Sequence, residues 1–241
     1  MSGHSHWHSI KYQKGIADAK KSKIFAKMVR EITVAAREGG SNPDTNSSLR
    51  LVVDRAKSMN MPAENIERAI KKGTGELEGV KLEPITLEAY GPGGIALIIE
   101  GITDNKNRAL SEIKQTLNQN QGKLVSEGSV KWLFERKGVI TIDNKQLSGN
   151  KEELELKVIE MGAEDIFFHN DAIDIYTKVE DLEKIKKALE EQNVKIESAS
   201  LDWIPKDYID TGDKEKEATQ KLFEALDESD SVQDIYSNLK T

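Results

Sequence analysis

The apolar residues of this chain change their spacing once, and that change limits the folds available to it. From Ile16 to Glu38 they recur with helical periodicity, and Gly39-Gly40 follows as a cap and loop. After Pro84 the pattern becomes that of short strands, with "ITLEAY" and "IALIIEG" on either side of "GPGG". A helical unit therefore precedes strand-bearing ones, and 241 residues suit two or three modest cores better than one large one.

Within the first helix Ile24, Phe25, Met28, Val29, Ile32, Ala35 and Ala36 fall on one apolar arc. The opposite arc collects Lys20, Lys23, Lys27, Arg30 and Arg37, interrupted only by Val34, and reads as a basic outer stripe. "NPDTN" makes a turn, Leu49, Val52, Val53 and Ala56 repeat at helical spacing, and Pro62 opens a third helix with Ile66, Ala69 and Ile70 on its apolar face. Lys71-Lys72-Gly73 supplies cations and a glycine to its end. Residues 16 to 75 make a small helical domain, with "GTGELEGVKLEP" as the linker after it.

"DNKNRALSEIKQTLNQN" reads as a helix beginning near Thr103 or Asp104. From Gly138 the order is strand, helix 151 to 161, two strands joined at Asn170-Asp171, helix 180 to 191, and strand "VKIESASLDW". This β-α-β-β-α-β order is the ferredoxin-like arrangement. A helix over 214 to 227 and the segment "SVQDIYSNL" follow. If that tail returns to complete the sheet begun at Ile85, the ferredoxin-like unit is an insertion in a middle domain.

Charge is divided unevenly. Residues 1 to 80 carry 14 Lys+Arg against 9 Asp+Glu, whereas the remainder carries 21 against 33. An acidic whole argues against indiscriminate coating of nucleic acid, and a basic first third permits a localised polyanion contact. There is no Cys, which excludes disulfides, thiolate metal sites and cysteine nucleophiles. No apolar run reaches the roughly 18 residues of a membrane span, and the start lacks a signal peptide's apolar core, so the expected location is the cytoplasm, with no membrane partner.

Few motifs point to chemistry. "HSHWH" places His4, His6 and His8 on one side of an extended chain, a set able to hold Zn, Cu or Ni, but at a terminus without a packed surround; no metal or cofactor is expected. The same segment suits nucleic acid better: His6, Trp7 and His8 for stacking on exposed bases, Lys11 and Lys14 for phosphates. His169, among strand residues, reads as structural. "GPGGIA" fits a dinucleotide fingerprint formally, but Ile95 begins a strand where that fingerprint requires a helix, so a tight turn is the better reading. Lys71 and Lys72 beside a glycine-containing loop suit phosphate or simply the negative end of a helix. Asn105, Lys106 and Arg108 suit an anion site or, more simply, a helix cap. No hydrolase, metalloprotease or nucleotide-loop motif is present, and the expectation is no catalytic residue.

"GHSHWHSIKYQK", "KIFAKMVREITVAAREGG", "NMPAENIERAIKKGTGE", "YGPGG", "TDNKNR" and "EGSVKWLFERKGVI", in this order and spacing, resemble the YebC/PmpR family, which includes the mitochondrial translational activator of cytochrome c oxidase subunit one. The resemblance implies a three-domain, non-enzymatic α+β protein: an N-terminal helical bundle and two α/β domains, at least one ferredoxin-like, one inserted in the other. The expected divisions are 1–80, 81–134 with 206–241, and 135–205. It further implies a DNA-binding transcriptional regulator or, alternatively, a translation factor that relieves stalling on the ribosome through its large subunit and ribosomal RNA. A protein-protein adaptor is the third class. His6 stands where the family's opening motif commonly has Lys, and "NSSLR" replaces a form richer in Pro and Arg. The expected nucleic-acid contacts are His6, Trp7, His8, Lys11, Lys14, Lys20, Lys23, Lys27, Arg30, Lys71 and Lys72.

Overall fold

The computed structural model describes residues 18–144, 151–169 and 172–240. Three helices come first: α1 (Asp18–Gly39), α2 (Ser47–Ser58) and α3 (Ala63–Thr74). Their shared core joins Ile24, Met28 and Ile32 of α1 to Leu49 and Ala56 of α2 and Ile66 of α3. Asn46 fixes the first corner, its Oδ1 accepting from Leu49 N while its Nδ2 donates to Ala35 O and Gly40 O, so one side chain caps α2 and closes the end of α1. Gly73 is not the cap of α3. It lies within the helix, where a Cβ would fall 2.4 Å from Thr33 O, and the cap is Gly75 at φ 82°. The glycine lets α3 approach α1, and the Thr33 hydroxyl donates to Ala69 O across the same crossing.

A four-stranded antiparallel sheet follows, ordered β3-β1-β2-β8, from β1 (Glu83–Tyr90), β2 (Ala96–Thr103), β3 (Lys123–Val125) and β8 (Val232–Ser237). The turn between β1 and β2 is made by Pro92–Gly94, with Gly93 at φ 70°. Helices α4 (Lys106–Gln119), capped by Asn105, and α7 (Asp213–Asp227) cover one face, where Leu97, Ile99, Ile113, Leu117, Leu222 and Leu226 pack together. Ala96 and Ile98 point to the other face and meet Val130, Phe134 and Tyr236. Covered on both sides, β2 is apolar at nearly every position rather than at alternate ones.

The second sheet, ordered β5-β6-β4-β7, comes from β4 (Phe134–Asp143), β5 (Asp165–Phe168), β6 (Ala172–Thr177) and β7 (Ile196–Pro205), with α5 (Lys151–Glu160) and α6 (Leu182–Glu191) as its connections. This is the ferredoxin-like order. β4 starts four residues before Gly138 because Phe134–Lys137 pairs with Asp202–Pro205. Its core joins Ile140, Ile142, Ile173 and Ile175 to Val158, Ile185 and Leu189 of the helices. The chain is thus α+β with three domains, and the strand after α7 pairs with β2 of the first sheet. The Asn170-Asp171 turn lies outside the described residues.

The helical domain meets both others. Leu51 of α2 packs against the ferredoxin-like core, beside ion pairs Arg50–Glu183 (2.7 Å) and Lys186–Asp54 (2.6 Å). Its contacts with the middle domain are made by the cations of α1.

Candidate nucleic-acid interface

The basic arc of α1 is turned largely toward the middle domain: Lys27 is buried and Lys23 and Arg30 are half-buried, while Arg37 stays exposed. Lys27 is 4% exposed, its Nζ donating to Asp227 Oδ1 at 2.8 Å and Asp227 O at 2.9 Å. Lys23 pairs with Glu228 at 3.0 Å, Arg30 donates to Ile102 O at 3.1 Å, and Arg37 donates to Leu82 O. The expected outer stripe is therefore corrected for Lys23, Lys27 and Arg30: they dock the helical domain on the end of α7 and the end of β2. The physical reason is complementary charge, because the C-terminal turn of α7 presents carboxylates together with backbone carbonyls at its negative end. A helical wheel identifies residues that share a face and is silent on what covers it. Of Lys20 only the backbone, in α1, is described; His4, His6, Trp7, His8, Lys11 and Lys14 lie outside the described residues.

Lys71 and Lys72 are exposed, in the last turn of α3. Lys57, in the last turn of α2, is exposed as well, and Arg68 is exposed in a pair with Glu64 one turn away. These outer cations of α2 and α3, together with the exposed Arg37 of α1, are basic side chains of the helical domain that a polyanion can reach. Asn105, Lys106 and Arg108 take the simpler of their two readings: Asn105 Oδ1 caps α4 by accepting from Arg108 N, while Lys106 pairs with Glu83 and Arg108 with Asp104.

A cleft of about 290 Å³ separates the three domains, bounded among others by Val34, Leu51, Ile85, Glu100, Arg136 and Asp202. Glu100 Oε1 accepts from Trp203 Nε1 at 2.8 Å and lies 3.1 Å from an Arg136 guanidinium nitrogen; its Oε2 is 3.4 Å from the Tyr236 hydroxyl. Burial pushes the Glu100 carboxyl above its ordinary value against the pull of Arg136 and Trp203, and burial also raises the Tyr236 phenol well above its own. Carboxyl groups of Glu31, Glu38, Glu100, Asp202 and Asp234 outnumber the guanidinium groups of Arg55 and Arg136 here, so the cleft is unfavourable to a phosphate chain. His169 is structural: its Nε2 lies 2.9 Å from Asp174 Oδ2, and Asp174 also accepts from Thr141. Among the described residues no group of three or more His, Cys, Asp or Glu is placed to hold a metal, and no helix is long and apolar enough to cross a membrane.

One feature escaped the sequence reading. The loop between β3 and β4 is fastened by Glu88, a β1 residue only 3% exposed, whose carboxylate accepts from Gly128 N (2.6 Å), Val130 N (2.6 Å) and Lys131 N (2.9 Å). Burial pushes this carboxyl up, but the three amides and the Lys131 ammonium outweigh it and hold it below its ordinary value. Trp132 stands on this loop with 64% of its surface exposed. A tryptophan between two polar, glycine-containing stretches was the available signal, but in a sequence it is indistinguishable from a core residue.

Comparison with known proteins decides the family. Residues 5–76 match the TACO1/YebC protein N-terminal domain, and residues 82–239 match the TACO1/YebC second and third domain. The chain belongs to the TACO1/YebC family. Relatives extend over its full length: a protein of Thermotoga maritima is 49% identical over 240 residues, covering 100% of this chain and 94% of the relative, and one of Pseudothermotoga lettingae is 48% identical with the same coverage. Each carries the name "Probable transcriptional regulatory protein". The crystal structure of a conserved hypothetical protein from Aquifex aeolicus superposes with a TM-score of 0.89 at 43% identity, covering 98% of this chain and 96% of that one. In this TACO1/YebC chain the three-domain fold is therefore shared with a close structural relative, while the basic residues include a partnered docking set on α1 (Lys23, Lys27 and Arg30) and an exposed set at the ends of α2 and α3.

Proposed function

We propose that this protein is a non-enzymatic regulator of gene expression that binds nucleic acid, acting on DNA in transcription and located in the cytoplasm. The observation that carries this reading is the end-to-end similarity to relatives named as probable transcriptional regulatory proteins. The geometry adds a place for the contact. Lys71 and Lys72 project from the last turn of α3, in the basic third of a chain whose remainder is acidic, so a polyanion approaches the helical domain and is repelled elsewhere. The segment carrying His6, Trp7, His8, Lys11 and Lys14 lies outside the described residues, and its composition suits the same class of partner.

The test is selection of bound sequences from a random duplex library, followed by transcription in a purified reaction on a promoter bearing the selected sequence. A preference over unrelated duplex of about a thousandfold or more, with a change in transcript level, supports the reading. Uniform, salt-sensitive affinity for every duplex, together with retention on ribosomal particles, replaces it with the translational one.

A further inference from the structure

Trp132 is the most exposed aromatic residue among those described, and it is anchored from several sides for a surface side chain. Its neighbours two positions away on either side, Val130 and Phe134, are buried in the core formed with Ala96, Ile98 and Tyr236, so the chain enters and leaves the tryptophan from fixed points. The buried Glu88 carboxylate ties down three amides of the same loop. The indole Nε1 donates to Ser129 O at 3.0 Å, which fixes the ring through its edge. The ring's one polar group is thereby satisfied within the protein, and what remains open is flat and apolar.

The surroundings narrow the ligand. Lys131, exposed, holds its ammonium 5.0 Å from the centroid of the Trp203 ring. The exposed Lys206 directly follows β7, its backbone N donating to Leu133 O at 2.9 Å. Lys131 adjoins the tryptophan in sequence and the backbone of Lys206 adjoins its neighbour Leu133, where the chain enters and leaves the ferredoxin-like domain. Glu127, Glu135 and Asp207 are nearby in sequence and also exposed, so the carboxylates outnumber the two lysines by one and phosphate attraction alone would not hold a nucleic acid here. An unpaired base offers what the ring can use, a π-face to stack on. A base inside a duplex offers no free face.

We infer that Trp132 is a preset stacking platform for an unpaired nucleobase of single-stranded nucleic acid. This rests on the nucleic-acid-binding reading above and adds a requirement to it: part of the bound strand is unpaired. Because the ring is already fixed, stacking on it loses little side-chain entropy.

The experiment compares the full chain with Trp132→Ala and Trp132→Phe, by fluorescence anisotropy with labelled single-stranded DNA, single-stranded RNA, an abasic strand of the same length, and duplex DNA. Thermal unfolding checks that each variant is folded, as expected for so exposed a residue. Trp132→Ala should weaken binding to the base-bearing single strands by roughly 5- to 150-fold, the range for removal of one base–aromatic stack, with Trp132→Phe closer to wild type. The log-log salt slope should stay unchanged, since every phosphate-binding lysine is kept, and affinity for the abasic strand should be the same in all three proteins. The stronger of the DNA and RNA arms identifies the source of the base. Equal affinity of wild type and Trp132→Ala for both base-bearing strands, with duplex bound through Lys71 and Lys72, overturns the platform and leaves the function standing. Failure of the folded wild type to bind any of the four overturns both.

Discussion

The Nζ of Lys27 and the Oδ1 of Asp227 lie 2.8 Å apart across 200 positions of sequence, and the same ammonium reaches the Asp227 carbonyl oxygen. A lysine that helical periodicity assigns to an outer face is thereby a fastening between the first helix and the last. Removing one partner leaves the other poorly solvated. Asp227→Ala should destabilise the protein by about 1–3 kcal/mol, less than a fully buried pair because Asp227 is partly exposed. Lys27→Met, which keeps most of the apolar stem without the charge, should cost less; denaturant unfolding measures both.

Lys186 and Asp54 make a second junction, between α6 and α2, at 2.6 Å with the lysine nine-tenths buried. Asp54→Ala should lower stability by about 1–3 kcal/mol. A double-mutant cycle with Lys186→Met should return a coupling of about 0.5–3 kcal/mol, whereas additive effects would mean that the pair does not join the domains.

Glu88 gives the loop beneath Trp132 a pH dependence whose sign follows from its lowered pKa. The folded state favours the charged carboxylate, so its stabilisation is fully present above the ordinary value of 4.5 and is lost as pH falls through the lower folded value. Glu88→Gln should destabilise by about 1–3 kcal/mol at neutral pH, by leaving buried amides short of an acceptor. The gap from wild type should close as the pH is taken below 4.5, and hydrogen exchange of the Gly128, Val130 and Lys131 amides should report it.

Much of this fold was legible because local pattern and global packing agree. Leu49, Val53 and Ala56 recur at helical spacing and do form the face of α2 that enters the core. The alternation in "GVITI" puts Ile140 and Ile142 into the ferredoxin-like core together. What stayed hidden depends on contacts distant in sequence. Lys23, Lys27 and Arg30 have the spacing of a solvated stripe, and only the position of Asp227 and Glu228 at the end of α7 and of the Ile102 carbonyl in β2 makes them a docking face. Gly73 follows two lysines as a cap would, yet its role is set by Thr33 on another helix. Glu88 sits at an ordinary strand position, and nothing around it in sequence announces the loop that it holds 40 residues later.

The central claim, that nucleic acid binds through the exposed cations of the helical domain while Lys23, Lys27 and Arg30 of α1 serve docking, is tested most directly by the salt dependence of duplex DNA binding. Wild type, Lys71→Ala/Lys72→Ala and Lys23→Ala/Arg30→Ala would be compared, each shown to be folded. Wild type should bind with an affinity that falls linearly on a log-log plot against salt. The Lys71/Lys72 variant should lower the slope by roughly 1.8, about 0.9 for each phosphate no longer neutralised, and the Lys23/Arg30 variant should lose stability with its slope unchanged. No salt-dependent binding by folded wild type, or a slope that falls with Lys23 and Arg30 but not with Lys71 and Lys72, would contradict the account.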